Sequence, residues 1–163
     1  MSDMRFCTKC GSDLLVKTID GASRLVCTNA DCDYTVWNNP VPVVAALVKL
    51  NDNYILARNT QWPHGVYSLI TGYLESNENV EDAVLREVEE ELGLKGRVEK
   101  FLGHYTFQKK NQLIIAFEIH ATGIVCTNDE IAETIQLSAE ELTSYDFRKL
   151  KITEQVIKSW AAE

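Results

Sequence analysis

Three glutamates in the middle of the chain, Glu87, Glu90 and Glu91, have a spacing that can bring their carboxylates together. On a helix, residues three and four positions apart share a face, and these three occupy an arc of roughly 100°. Like charges at this spacing destabilise a helix by about 0.2–0.5 kcal/mol per pair. A divalent cation would reverse the repulsion, and Mg²⁺ and Mn²⁺ prefer hard carboxylate oxygens. The spacing therefore favours a magnesium or manganese site over a solvated acidic face.

A predicted helix over Asn79–Leu92 must position these carboxylates. Asn77 or Asn79 is expected to cap its first turn, and Gly93 to end it, because glycine readily adopts the left-handed conformation. Its apolar side chains recur every four residues and form one stripe that must face a core. This stripe consists of Val80, Val84, Val88 and Leu92. The acidic arc borders the stripe, so packing of the stripe fixes the direction of the carboxylates.

The negative charge of the chain is concentrated around this helix. The net charge is −8, and residues 75–91 contain eight acidic residues and one basic residue, so the rest of the chain is nearly neutral. Sequence-independent binding to nucleic acid requires a basic face, which this distribution does not provide. The charge pattern argues against nucleic acid as a partner and indicates a bound cation.

The pattern around the helix resembles the Nudix box. Gly72 is followed after five residues by Glu78, and after seven more by the run Arg86–Leu94. The match spans 23 residues, and the strand order around it resembles the Nudix α/β/α sandwich. We therefore predict an α/β fold with a mixed sheet over residues 40–163, preceded by a small four-cysteine zinc ribbon over residues 1–39.

This resemblance implies an enzyme that hydrolyses the pyrophosphate bond of a nucleoside diphosphate linked to another group. It also implies catalytic Mg²⁺ or Mn²⁺, with Glu87, Glu90 and Glu91 as metal ligands, one of which helps to activate water. Such chemistry must neutralise charge that develops on phosphate oxygens, and bound divalent cations do so.

The resemblance assigns supporting roles to four further residues. It implies that Arg86 orients a catalytic glutamate through a salt bridge, and that Glu78 supports the site or a second metal. Gly72 permits a tight turn, and the backbone carbonyl of Thr71 could also reach a metal. Thr71 and Asn77 stand where the family often has a small residue, which predicts an altered loop shape with the chemistry intact.

Members of this family often recruit one more acid from a late loop. Asp129, Glu130 and Glu133 are the candidates, and Glu130 is preferred over the alternative of a plain surface acid. Glu118 could also serve, although its alternation with apolar neighbours is typical of an outward-facing strand residue.

Substrate contacts are predicted from weaker patterns. Arg58 ends a strand and could meet a phosphate, or it could be an ordinary surface arginine. Four aromatic residues could stack on a base, and alternation predicts that at least two of them belong to the core: Tyr67, Tyr73, Tyr105 and Phe107.

Four of the five cysteines lie before residue 33, as two pairs sixteen residues apart: Cys7, Cys10, Cys27 and Cys32. This arrangement is typical of a closed, structural zinc site with four thiolate ligands, against the alternatives of free thiols or a redox pair. Asn38-Asn39-Pro40 marks the boundary of the segment. A segment of this size without a long apolar run needs such a staple to fold. The fifth cysteine, Cys126, is expected to be a buried thiol at a strand end.

A ribbon before this domain resembles the NADH diphosphatase subgroup and its ribbon-bearing relatives. That subgroup carries an SQPWPFPxS-type motif after the box, which is absent from residues 104–112. The expected substrates are therefore of the ADP-ribose, FAD or dinucleotide type, with NADH less favoured. Similar proteins are commonly homodimers, although the sequence does not determine the oligomeric state.

Two other functions stay open at this point, a non-catalytic nucleotide sensor and an RNA-binding protein. The complete set of acids argues against the sensor, and the net negative charge of residues 1–39 argues against an RNA-binding ribbon. No apolar run is long enough to cross a membrane, and no secretory signal precedes the first segment, so a cytoplasmic location is expected.

The remaining elements follow from apolar runs and turn residues. A helical turn is expected to open at Ser138, and a helix over Thr153–Ala162 to end the chain. The predicted strands are Val41–Leu50, Tyr54–Arg58, Val66–Ile70, Val98–Gln108, Gln112–Val125 and Thr134–Leu137.

Overall fold

The first unit of the chain is a small three-stranded sheet. The computed structural model describes residues 4–162, which divide into two units, 4–40 and 41–162. In the first unit, β1 (Leu14–Ile19), β2 (Ala22–Cys27) and β3 (Thr35–Val36) pair antiparallel in that order. Cys7 and Cys27 are its only buried residues in the described chain. Because apolar burial is so small, side-chain packing alone cannot stabilise this unit.

The second unit is built on a six-stranded mixed sheet. The strand order is β7-β8-β4-β5-β9, with β6 beside β4. β8 runs parallel to β4 along its whole length, whereas β5 and β6 share the opposite edge of β4. The strands are β4 (Val41–Leu50), β5 (Asn53–Asn59), β6 (Ile70–Tyr73), β7 (Lys95–Phe107), β8 (Gln112–Thr122) and β9 (Ile131–Leu137).

Helices cover both faces of this sheet. On one face, α1 (Val80–Leu92) packs its apolar stripe against Val44, Ala46 and Val48 of β4. On the other, α2 (Ala139–Ser144) and α3 (Lys151–Ala161) cover a second cluster that includes Leu47. The predicted α/β/α sandwich is confirmed, and alternation along β4 supplies both cores.

The caps of α1 follow the sequence pattern. Asn79 is the N-cap residue in extended conformation, and its side chain makes no capping hydrogen bond. Gly93 adopts φ +66°, and its N–H donates to the carbonyl of Glu89. The left-handed conformation favours glycine, which explains why the helix ends there. Ser138 and Glu141 form a capping box at the start of α2.

Two predictions about local structure were wrong. The strand expected at Val66–Ile70 begins only at Ile70, because Gly65 (φ +74°) and a bond from Val66 N–H to the Pro63 carbonyl hold a turn before it. Cys126 is exposed, since β8 ends at Thr122 and the chain then leaves the sheet.

Glu118 was also predicted wrongly, because it is buried and not an outward surface residue. It accepts a hydrogen bond from the Tyr54 hydroxyl at 3.4 Å and lies 3.2 Å from His120 Nε2. Its neighbour Phe117 faces the α1 side, so Glu118 points to the α3 side, away from the acids of α1. In the described part of the chain, no helix is both long and apolar enough to cross a membrane.

Candidate active site

Arg86 is the centre of the acidic cluster on α1. Its guanidinium donates to both Glu78 oxygens at 2.8 and 3.0 Å, to Glu87 at 2.7 Å and to Glu90 at 3.1 Å. It also donates to the Tyr73 carbonyl at 3.2 Å, which ties the helix to β6. Because an arginine presents several donors in a fixed planar arrangement, one side chain can orient three carboxylates. The structure thus brings Arg86 and Glu78 together with Glu87 and Glu90 of the predicted metal-binding triplet.

Gly72 of β6 faces the same cluster. A Cβ atom at this position would overlap the carboxylate of Glu87. Register on β4 pairs Gly72 with Val44, whose side chain belongs to the α1 side of the sheet. Gly72, which the resemblance assigned to a tight turn, lies within β6 and serves close approach to Glu87.

The acidic cluster holds carboxyl groups that resist ionisation. Burial raises the pKa of Glu91 from 4.5 to about 8, and the neighbouring charges of Glu87, Glu130 and Glu90 contribute to this rise. Burial also raises the pKa of Glu87, although its contact with Arg86 opposes this. Glu91 is therefore largely protonated at neutral pH while no cation balances its neighbours.

Glu130 reaches this cluster from the loop before β9. Its N–H donates to the Asn128 side chain at 3.0 Å, while the Asn128 N–H donates to the Glu91 carbonyl at 3.4 Å. These two bonds fasten the loop to the end of α1. Of the three late acids considered, Glu130 lines the cavity described below, whereas Glu133 is engaged by Arg58.

A cavity of about 630 Å³ runs along the cluster. Alternation on β6 places Thr71 and Tyr73 on the α3 side of the sheet and Gly72 on the α1 side, so the cavity lining takes side chains from both faces. The acidic part of the lining comprises Glu75, Glu87, Glu90, Glu91 and Glu130, and the remainder includes Trp62, Phe107, Lys110, Gln112, Lys149, Lys151 and Thr153. Its size falls in the range of small-molecule sites, about 300–1,000 Å³.

Arg58 does not contribute to that lining, which corrects its interpretation as a phosphate contact. Its side chain is buried and donates to Glu133 at 2.6 Å and to the Trp62 carbonyl at 3.0 Å. On β5 it shares the face of Leu56, which belongs to the α3 side. Both interpretations from the sequence, phosphate contact and surface arginine, missed this buried pair.

Several lining residues were missed or undervalued from the sequence. Trp62, Lys149 and Lys151 lie in loops or at the start of α3, where no periodicity marks them. Lys110, between β7 and β8, also lines the cavity. Of the aromatic candidates, Tyr73 and Phe107 line it. The other two, Tyr67 and Tyr105, pack against the second core.

The carboxylates fit a hard divalent cation in donor chemistry and in electrostatics. Glu87, Glu90 and Glu91, joined by Glu130, offer oxygen donors, and their mutual repulsion is the feature that a cation would relieve. Neighbouring lysines of the lining would favour the anionic groups of a phosphate ester. A site with this composition can bind a phosphate between divalent cations held by the glutamates and the positively charged lysines of the lining.

The cysteine quartet forms a separate candidate metal centre. The four Sγ atoms all lie within 4.8 Å of one another, with Cys10–Cys27 at 3.4 Å and Cys7–Cys32 at 3.8 Å. Tetrahedral zinc with Zn–S bonds of about 2.3 Å separates its sulfurs by about 3.8 Å. The four thiols could therefore hold zinc with little movement.

The chain belongs to the NUDIX domain family, which matches residues 40–156. It is 29% identical over 140 residues to the NAD-capped RNA hydrolase NudC of Pseudomonas fluorescens (strain Pf0-1), covering 85% of this chain and 49% of the relative. NudC from Pseudomonas aeruginosa (strain LESB58) is 30% identical over the same shares. The chain thus spans about half the length of the curated relatives that it matches.

Several solved structures share the fold of this chain. A NUDIX hydrolase from Nitrosomonas europaea superposes with a TM-score of 0.79 and 20% identity, covering 95% of this chain and 89% of that one. An ADP-ribose pyrophosphatase from Streptococcus suis gives a TM-score of 0.59 and 18% identity over 77% of this chain and 93% of that one. At these identities the similarity establishes the fold alone.

Proposed function

We propose that residues 41–162 hydrolyse the pyrophosphate bond of a nucleoside diphosphate linked to a second moiety, with Mg²⁺ or Mn²⁺ held by Glu87, Glu90 and Glu91. The observation that carries the proposal is the placement of these three acids in the wall of the 630 Å³ cavity, where Arg86 holds Glu87 and Glu90. A sensor needs the cavity but not this grouping of carboxyl groups, of which Glu91 is buried.

In the proposed reaction, water attacks one phosphorus, the bridging P–O bond breaks, and two phosphate monoesters leave. A bound divalent cation supplies neutralisation of the phosphate oxygens and acidifies water. Arg86 keeps Glu87 and Glu90 in position, and Glu78 completes that arrangement. Glu91 has the raised pKa and the burial expected of a group that accepts and releases a proton.

The lysines that line the cavity favour a substrate with several negative charges. Lys110 and Lys149 are exposed residues of the lining, so each can reach a phosphate oxygen without losing an internal ion pair. Lys151 shares its charge with Glu154 at 3.0 Å. Cations on one part of the lining and acids on another favour a diphosphate that extends between them.

The second moiety is proposed at the level of a class, of the ADP-ribose, FAD or dinucleotide type. The relatives named NAD-capped RNA hydrolase support an NAD-type group, whereas the absence of the SQPWPFPxS-type motif at residues 104–112 counts against NADH itself. In the first unit, Lys9 is paired with Asp33 at 2.6 Å, so its charge is not free for RNA phosphates.

We further propose that the four thiols bind structural Zn²⁺ and that a domain boundary lies near Pro40. Support comes from the closeness of the Sγ atoms and from the two compact units on either side of this residue. The first unit then owes its stability to the metal, because it buries little apolar surface.

A hydrolysis screen tests the main proposal. The purified chain is incubated with NADH, NAD, FAD, ADP-ribose, dinucleoside polyphosphates, nucleoside triphosphates and NAD-capped RNA, with Mg²⁺, Mn²⁺ or chelator. At least one diphosphate-bridged compound should yield two monophosphates only when metal is present. Nucleotide-induced thermal stabilisation without any turnover would instead establish a sensor.

Glu91→Gln is the informative variant in that screen. Loss of a proton-transferring carboxylate is expected to lower kcat by about 10²–10⁴-fold. The fold should persist, because the amide removes a buried acid that its neighbours destabilise. Glu89→Gln is the matched control, since Glu89 lies on the same helix but is exposed and outside the cavity lining. Full activity of Glu91→Gln with Mg²⁺ present would overturn the proposed mechanism.

A further inference from the structure

The loop between β5 and β6 carries Trp62 into the cavity lining. Its indole is half-buried, although the loop has no regular secondary structure of its own. An exposed loop that contributes an aromatic ring to a cavity usually needs anchors, because ordering the loop costs conformational entropy. The anchors of this loop are therefore informative about the function of the ring.

Four hydrogen bonds hold the loop. Within it, the Trp62 N–H donates to the Asn59 carbonyl at 2.9 Å, and the Gln61 N–H donates to the Asn59 side chain at 3.0 Å. From β5, Arg58 donates to the Trp62 carbonyl at 3.0 Å. From the loop before β9, the Glu130 carbonyl accepts from the Thr60 N–H at 2.8 Å. The indole is thus presented by a fixed backbone.

Arg58 is itself held in one orientation. Its Nε donates to Glu133 at 2.6 Å, directly across the β5–β9 pair, where the two residues are register partners. Glu133 also hydrogen-bonds to the Tyr67 hydroxyl, which together with Arg58 lowers the pKa of the carboxyl. Burying an ion-paired arginine at a bulge in the strand carries a desolvation penalty, and a second donor of this arginine holds the Trp62 carbonyl.

The same loop contacts the acidic cluster. Glu130 lies between the Thr60 N–H and the Asn128 side chain, and Asn128 contacts the carbonyl of Glu91. The backbone that carries Trp62 is therefore linked by hydrogen bonds to the backbone of Glu130 and Glu91. A ring held in place relative to the reacting centre can bind a planar group of the substrate and so position the bond that is cleaved.

We infer that Trp62 is the platform on which a nucleobase or nicotinamide ring of the substrate stacks, and that Arg58 is the residue that positions it. The inference rests on the proposed function for the identity of the cleaved bond. Stacking is sequence-tolerant, because every base has a π face, so this contact selects for a planar ring and not for one base. Phe107 in the same lining adds apolar surface.

The test compares substrates with and without a ring. ADP-ribose and NAD carry bases, whereas two riboses bridged by a diphosphate carry none. Trp62→Ala should raise KM for the base-bearing compounds roughly tenfold, the typical effect of losing one stacked base. KM for the baseless compound and kcat should change less than about twofold, since neither depends on stacking, and Trp62→Phe should restore most of the affinity. Phe101→Ala, at an exposed aromatic outside the lining, is the control.

Arg58→Lys separates positioning from general stability. Lysine keeps the charge beside Glu133 but loses the second donor that reaches the Trp62 carbonyl. The variant should raise KM selectively for base-bearing substrates, and combining it with Trp62→Ala should add no further increase. A purely structural role would lower Tm and reduce activity on all substrates alike, and that pattern would overturn the inference.

The outcome is separable from that of the proposed function. If the wild-type chain cleaves a diphosphate but Trp62→Ala leaves every KM unchanged, the platform is wrong and the hydrolase stands. If the chain cleaves nothing, the platform is still tested by binding of NAD, which should weaken roughly tenfold in Trp62→Ala. Unchanged NAD binding would then overturn the platform as well.

Discussion

The cysteine quartet and the acidic cluster are two candidate metal centres organised in opposite ways. The four thiols lie within 4.8 Å of one another and need no other side chain to gather them. The acids lie around Arg86, whose guanidinium stands between three carboxylates. A closed thiol site suits a metal that stays, whereas an open carboxylate site suits a metal that is shared with substrate.

The two sites differ in what stabilises the part of the fold that carries them. The first unit buries two cysteines and little else, so the proposed zinc would supply much of its folding energy. The acidic cluster sits on a helix whose apolar face, including Val84 and Val88, is fully buried. Burial of this apolar face stabilises the helix against the repulsion among its carboxyl groups. In both centres, any thiol or carboxyl group that is protonated must lose its proton before it can bind a metal.

Removing metal should affect the two centres very differently, and this is the largest expected effect. Stripping zinc with a strong chelator should increase amide hydrogen exchange in β1 and β2 by at least about a thousandfold, given the roughly 10 kcal/mol or more of structural zinc binding. Exchange in β4 and α1 should be unchanged. Mass spectrometry on proteolytic fragments measures both regions in one sample.

The control for this prediction is Cys126→Ser, which alters a thiol outside the quartet and should change neither region. Cys27→Ser, by contrast, should reproduce the effect of the chelator, because Cys27 is one of the two buried residues of the first unit. Intact protection of β1 after metal analysis shows zero zinc would mean that the unit folds by packing alone. The contrast between the two centres would then be lost.

Arg86→Ala should produce the next largest effect. Without the guanidinium, Glu78, Glu87 and Glu90 lose their common donor, and misplacement of catalytic groups by about 1 Å can cost roughly 100-fold in rate. The metal-free domain should also lose about 2–4 kcal/mol of stability, since breaking a partly buried ion pair leaves charges uncompensated. Steady-state kinetics and thermal unfolding measure the two effects.

Excess Mg²⁺ should recover part of the lost stability of Arg86→Ala, because a cation can replace the missing positive charge. Arg97→Ala is a suitable control, since Arg97 is exposed and pairs with Glu99 away from the cavity. If Arg86→Ala retained the wild-type kcat, the cluster would not depend on its arginine. The acids, like the four thiols, would then lie together without a central residue that holds them.

The residues of the two centres and of the cavity could be predicted from the sequence to different extents. The grouping of the residues in both candidate metal sites and the helix after Asn79 were predictable, because their spacing encodes geometry within one helix or between two turns. Trp62 and Lys149 were not, because they meet the acids through loops whose paths depend on long-range contacts. Arg58 was misjudged because its partner, Glu133, is 75 residues away in sequence. Periodicity cannot reveal such a pairing.

The smallest expected effect concerns one proton at the acidic cluster. With a pKa of about 8, Glu91 keeps a proton in the folded, metal-free domain that the unfolded chain loses near pH 4.5. The folded state therefore binds more protons between these two values, so the free energy of unfolding falls as pH rises through this window and levels off above it. The raised pKa of Glu87 acts in the same direction.

Binding of Mg²⁺ should displace that proton, because a carboxylate must be ionised to ligate a metal. Calorimetric titrations at about pH 7 in two buffers of different ionisation enthalpy should reveal release of about one proton per bound site, and almost none above about pH 9. The zinc centre stays loaded throughout, so its thiols contribute nothing. In Glu91→Gln the release should disappear. An equal release from that variant would place the proton on another group, and Glu91 of the wild-type chain would then be ionised before its metal binds.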